Sequence, residues 1–188
     1  MSFIKITRSQ KGAMFGLDAR IALAIFGGLS VIAGAAVFGA ISETKVTALI
    51  TEFDNFSKGY INHALDTGTD TTTVADMWTK PATPNWNGPY LTISTATHPS
   101  YGTYTFTAGR PDLTEQVPGT TACSATNLCS IYLTLTNVTN AVAEELDKTV
   151  DTPTALTIDT GNVRLTNAAA GVRTVYFKIA RCQTDTCS

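Results

Sequence analysis

The sequence predicts an α+β fold in which one long N-terminal helix, hydrophobic in its first half and amphipathic in its second, packs on a C-terminal antiparallel β-sheet. Three observations lead there. Residues 21–41 form an uncharged apolar run; apolar side chains then recur at steps of three and four as far as Ala64; and beyond residue 66 the chain turns to Thr, Asp, Gly and Pro, interspersed with short β-branched and aromatic runs. A chain of 188 residues has room for one domain with a real core and an appended segment.

Residues 1–13, MSFIKITRSQKGA, carry Lys5, Arg8 and Lys11 and no acidic residue. From Ile21 to Ile41 the run IALAIFGGLSVIAGAAVFGAI has no charge and a single hydroxyl, Ser30. About 20 helical residues, rising roughly 1.5 Å each, cross the hydrocarbon of a bilayer, so this run is long enough to span one. The basic flank then stays cytoplasmic and the rest of the chain is sent outward. An ordinary secretory signal has a shorter apolar core followed by a small-residue cleavage site. Asp18 stands at the edge of the run, where a carboxylate is costly unless it has a task. Arg20 and Lys11 are the local partners that would make it a simple interfacial residue.

The helical pattern does not stop at Ile41. Val46, Leu49, Ile50, Phe53, Phe56, Tyr60, Ile61 and Ala64 form a stripe, with Glu43, Lys45, Glu52, Asp54 and Lys58 between them, which predicts one helix from about Leu17 to Leu65. Gly27, Gly28, Gly34 and Gly39 permit close helix approach within the apolar half. The stretch after Leu65 reads as a long connecting loop anchored by Trp78 and Trp86, with Asn87-Gly88-Pro89 as a turn. Strands are expected over residues 90–95, 102–108, 130–136 and 172–180, their aromatic residues filling the sheet core. Apolar residues four apart predict a short helix over 138–150, with Glu144 and Lys148 able to pair across one turn.

Cys123, Cys129, Cys182 and Cys187 fall in two close pairs within polar sequence, a pattern of disulfides in an oxidising compartment. Of the three connectivities, local pairing is expected, because short polar loops bring Cα atoms to the roughly 4.4–6.8 Å a disulfide needs. A formal net charge of −2, with no basic tract beyond the first residues, gives no footprint for nucleic acid. His63 and His98 have no ligand at metal-binding spacing, so no metal and no cofactor are expected. Asp159-Thr160-Gly161 matches the aspartic-protease triplet, but that chemistry needs two such carboxylates and the triplet occurs once. It reads as a turn, and no catalytic residue is expected. Asp112, Glu115, Asp147, Asp151 and Asp159 lack the dense ligand spacing of a calcium loop and read as solvated surface.

A short basic leader, a small residue, a hydrophobic residue, an acid four positions later and then some twenty apolar residues resemble the type IV prepilin signal. Cleavage after Ala13 makes Met14 the first mature residue and Asp18 the fifth, the family's register; cleavage after Gly12 makes Asp18 the sixth. Ala13 and Asp18 stand where the family usually has Gly and Glu. Trp86 to Leu91, WNGPYL, is similar to the helix-to-sheet junction of pilins and type II secretion pseudopilins. Residues 151–165 resemble a pilin segment in which a helix ending in Leu-Asp is followed by a Thr-Gly turn and a strand. A C-terminal cysteine loop also resembles the disulfide-bound region of type IV pilins, whose bridge spans more residues, which keeps a pairing of one early with one late cysteine open.

The resemblance implies a type IV pilin-like fold in four segments: 1–13 a leader, 14–42 the transmembrane and polymerisation half of the helix, 43–66 its amphipathic half, and 67–188 a globular head. It implies cleavage at Ala13 and methylation of Met14 by a prepilin peptidase, with Asp18 acting in assembly. It also implies a precursor in the bacterial inner membrane, cytoplasmic at its N-terminus and periplasmic at its head. Inner-membrane pilus or secretion machinery would then build it into an extracellular helical homo-oligomer. A type II secretion pseudopilin and a membrane-anchored surface binding protein are the alternatives.

Overall fold

The computed structural model of the chain describes residues 12–123, 129–151, 156, 158–183 and 187, with backbone alone at 12–15, 17, 35, 36, 38 and 39. Helix α1 runs Gly12–Thr67, extending the expected helix at both ends. It stops where Gly68, at φ +69°, donates its N–H to the Ala64 carbonyl at 2.9 Å, a left-handed cap that closes the last turn. The chain forms two compact units that divide within α1, between Ser42 and Glu43.

In the second unit the stripe becomes the core. Val46, Leu49, Phe53, Phe56, Tyr60 and Ala64 are buried as the spacing predicts. Ile61 departs from the expectation: it is 45% exposed, and His63 is the buried residue of that turn. Steps of 3, 4, 3, 4 and 3 from Val46 lead through Leu49, Phe53, Phe56 and Tyr60 to His63. Ile61 lies off that seam.

The sheet has four antiparallel strands in the order β1-β2-β4-β3: β1 Tyr104–Gly109, β2 Ser130–Thr139, β3 Val163–Leu165 and β4 Val172–Arg181. Phe106 pairs Leu133, Leu133 pairs Phe177, and Phe177 pairs Val163, so alternate positions build one apolar face across all four strands. Helix α1 covers it: Phe53 packs on Phe177 with ring centroids 4.9 Å apart, Phe56 on Tyr104 at 4.8 Å, and Tyr60 edge-on to Phe106 at 5.4 Å. Each such pair adds about 0.5–1.5 kcal/mol beyond the area it buries. The Ser57 hydroxyl donates to the Ile179 carbonyl at 2.6 Å and fixes the helix against β4.

One strand expectation needs correction. Residues 90–95 form no strand: Tyr90 and Leu91 both donate their N–H groups to the Met77 carbonyl, at 2.7 and 3.2 Å, and Leu91 lies against Gly59 of α1. Their donors go to a 3₁₀ turn, Val74–Met77, inside the expected loop. Near the Asn87-Gly88-Pro89 turn the positive backbone angle belongs to Asn85, at φ 63°, while a Cβ at Gly88 would meet the Trp86 ring. Helix α2 occupies Asn140–Val150, since Val138 and Thr139 complete β2. Glu144 pairs with Arg173 of β4 at 2.8 Å instead of with Lys148.

The acidic residues expected on the solvated surface divide. Asp147 is fully buried, and Asp112 pairs with Arg110 at 2.6 Å. Asp151 accepts three hydrogen bonds, from Asn162 N (2.9 Å), Asn162 Nδ2 (3.0 Å) and Val163 N (2.7 Å). The Asp-Thr-Gly turn is thereby fastened to the end of α2. A side chain at Gly161 would run into the Asp151 carboxylate, and the backbone there is at φ +91°. Gly161→Ala is therefore expected to lower stability to chemical denaturation by about 2 kcal/mol, combining backbone strain with loss of the Asp151 clamp. An unchanged denaturation midpoint would remove Asp151 from that role.

Candidate functional site

In the first unit the helix presents its apolar side chains outward. Ile21, Leu23, Ile25, Phe26, Leu29, Val31, Ile32, Val37 and Ile41 are 45–74% exposed, on successive turns and all around the helix. The one hydroxyl of the run, Ser30, donates to the Phe26 carbonyl one turn back at 2.8 Å, so it satisfies itself without solvent. Gly16, Gly27, Gly28 and Gly34 have open space where a Cβ would be. Burying a large apolar side chain contributes about 1.5–3 kcal/mol, so nine left this exposed forgo on the order of 10 kcal/mol of burial. Such a surface needs lipid or protein around it. Among the described residues no helix is long and apolar enough to cross a membrane.

Asp18 is exposed and makes no ion pair or hydrogen bond with any described residue, Arg20 included. Lys11, its other local candidate, lies outside the described residues, as do residues 1–11 of the expected leader. Ala13 and Met14 lie at the described start of α1.

The cysteines pair locally, Cys123 with Cys129 and Cys182 with Cys187, at Cα separations of 5.6 and 5.1 Å. The sulfurs of Cys123, Cys129 and Cys187 all lie within 4.8 Å of one another. Being oxidised in pairs, they offer no thiolate to a metal.

Both histidines have structural surroundings. His98 Nδ1 accepts N–H bonds from Ser100 (2.9 Å) and Tyr101 (3.1 Å), and its Nε2 lies 3.4 Å from Glu52 Oε2, which ties the 98–102 loop to α1. His63 stacks edge-on against Tyr90 at 5.5 Å, and burial pushes its pKa down despite Asp76, Asp66 and Asp70. Tyr60 donates to the buried Asp70 carboxylate at 3.0 Å, which also accepts Gln183 N at 2.7 Å, so the end of α1, the chain that follows it and the chain beyond β4 meet at one acid.

All six tyrosines are held above the ordinary phenol range, in each case first by burial, with the Asp70 carboxylate adding to it at Tyr60. A phenol raised in the folded state contributes stability that is complete below the unfolded value of about 10 and is lost as pH rises toward the folded one. Alkaline titration is thus expected to show phenolate absorbance appearing together with loss of tertiary structure, in one cooperative step above pH ~10. Six phenols titrating independently near 10 with the fold intact would contradict it.

Sequence reasoning missed Arg164, which is fully buried in β3. Its guanidinium lies 5.2 Å from the centre of the Tyr132 ring and donates to the carbonyls of Arg110 (3.2 Å), Pro111 (3.2 Å) and Glu115 (3.3 Å). The signal was a lone cation between the apolar Val163 and Leu165. Comparison of the chain with protein-family models, curated proteins and solved structures finds no match.

Proposed function

We propose that this chain is the structural subunit of a type IV pilus-like filament, held in the membrane as a precursor and assembled through residues 14–42 after removal of residues 1–13. The observation that carries the reading is the apolar surface of the first unit, which has no use in an isolated soluble chain. The prepilin-type order of residues around Ala13 and Asp18 supports it, and the disulfides suit a head exported to an oxidising compartment. A surface protein on a plain membrane anchor needs no carboxylate at position 18, and among the described residues that carboxylate has no ion-pair partner, Arg20 included. A secretion pseudopilus shares the same subunit physics and is separated from a pilus by whether filaments reach the outside of the cell.

Filaments sheared from cells and identified by mass spectrometry test the reading. The expected subunit begins at N-methylated Met14; losing Lys5, Arg8 and Lys11 leaves ten basic against fifteen acidic residues, a formal −5. Exported protein that keeps the basic leader, or begins beyond Asp18, would overturn it.

A further inference from the structure

The two disulfides are neighbours in space as well as in sequence order. Ser130 of β2 pairs with Arg181 of β4, and the ladder continues one step further, with Cys182 N donating to the Cys129 carbonyl at 3.1 Å. That step brings one cysteine of each bridge side by side. Cys187 Sγ lies within 4.8 Å of both sulfurs of the other bridge. Cys129 and Cys187 are buried to 1% and 0% exposure, whereas Cys123 is only half-buried. An external thiolate therefore reaches this cluster at Cys123, and the sulfur it displaces, Cys129, already faces an alternative partner.

We propose that the four cysteines form one exchange-coupled unit, in which Cys129–Cys187 is a second bridge compatible with the fold and Cys123 is the site of attack by an external thiol. The steps balance without net oxidation or reduction. The external thiolate bonds to Cys123 Sγ, the Cys123–Cys129 bond breaks, and its electron pair stays on Cys129. The Cys129 thiolate then bonds to Cys187 Sγ, the Cys182–Cys187 bond breaks, and Cys182 leaves as the thiolate, taking a proton from water. The product is a mixed disulfide at Cys123, a Cys129–Cys187 bridge and one free thiol. The partner chemistry is that of a thiol–disulfide isomerising protein or a small monothiol, and the inference is independent of the filament reading.

The full-length variant Cys182→Ser isolates the central step, because Cys187 then has no partner of its own. At mildly alkaline pH its thiolate attacks the neighbouring bridge, and the displaced sulfur of Cys123 or Cys129 becomes the free thiol. Acid quenching, alkylation and peptide mapping without reduction are expected to find Cys187 bridged to Cys129 or Cys123 at a level within about tenfold of the local bridge, since one disulfide is exchanged for another of the same kind. In concentrated guanidinium chloride the ratio reverts to chain statistics. Closing the 58 residues from Cys129 to Cys187, against the 6 from Cys123 to Cys129, favours the local bridge about 30-fold. Alkylation confined to Cys187 in the folded variant, or a bridged fraction unchanged by denaturant, overturns the proposal. Wild-type protein incubated with reduced and oxidised glutathione gives a second reading if the variant does not fold. The expected adduct is at Cys123 together with a Cys129–Cys187 bridge and free Cys182; an adduct with Cys182–Cys187 intact overturns the proposal.

Discussion

Asp18→Ala is expected to leave membrane insertion, leader removal and the fold of residues 43–188 intact while reducing surface filaments on the order of a hundredfold or more. In the proposed assembly, cleavage after Ala13 creates a positive amine at Met14, four residues from Asp18. In an apolar bundle of helices that amine and the carboxylate of a neighbouring subunit neutralise each other, and any other stagger buries a charge alone, at a cost of about 3–5 kcal/mol. Since each 1.4 kcal/mol is a factor of ten in an equilibrium, the pair selects one register. Asp18 has no described partner within its own chain, so the fold of the second unit does not depend on it. Arg20→Ala is the matched comparison and is expected to retain filaments. The measurement scores inserted precursor, processed chain and sheared filaments separately in both variants. Normal filament numbers from Asp18→Ala would return Asp18 to an interfacial residue.

Arg164→Ala is expected to destabilise the second unit by about 3–5 kcal/mol, lowering its thermal midpoint by roughly 10 °C. Three part-buried backbone carbonyls, of Arg110, Pro111 and Glu115, accept from this one guanidinium. Removing it leaves them unsatisfied, at about 1–3 kcal/mol each, and empties the space over the Tyr132 ring. Arg164→Lys recovers little, because a single ammonium cannot spread its donors across three carbonyls as a planar guanidinium does. Calorimetry with limited proteolysis of the 110–119 segment checks both parts. A variant with an unchanged midpoint would show that the carbonyls find other donors.

The elements legible in the sequence are those whose physics is local. Residues 46–64 bury their stripe because one helix face meets one sheet face, and β1, β2 and β4 follow runs whose β-branched and aromatic residues suit a half-buried surface. The disulfide pairing was legible for the same reason, since short loops decide it. Tyr90–Thr95 misled because its side chains look like a strand, while its backbone donors are taken by Met77, a contact no window of sequence reveals. Strand β3, three residues long, is too short to show alternation, and Glu144 ignores Lys148 because Arg173 reaches it from strand β4. Of the candidate assembly segment, the apolar run and Asp18 were plain in the sequence. That Arg20 does not pair with Asp18 required coordinates.

In the proposed filament, the division of α1 between Ser42 and Glu43 also sorts the forces that act between copies of the processed chain. Residues 14–42 contain one acid and one base, Asp18 and Arg20, so the whole formal −5 of the processed chain lies in residues 43–188, with nine basic against fourteen acidic residues. Cohesion therefore belongs to one unit and mutual repulsion to the other. Hydrophobic cohesion is indifferent to modest salt, whereas repulsion between heads fades beyond a Debye length of about 8 Å at physiological ionic strength. The colloidal behaviour of an assembly is then set by the heads: dispersed where ions are scarce, and gathering side by side as salt is added, without any change in the contacts that join one subunit to the next.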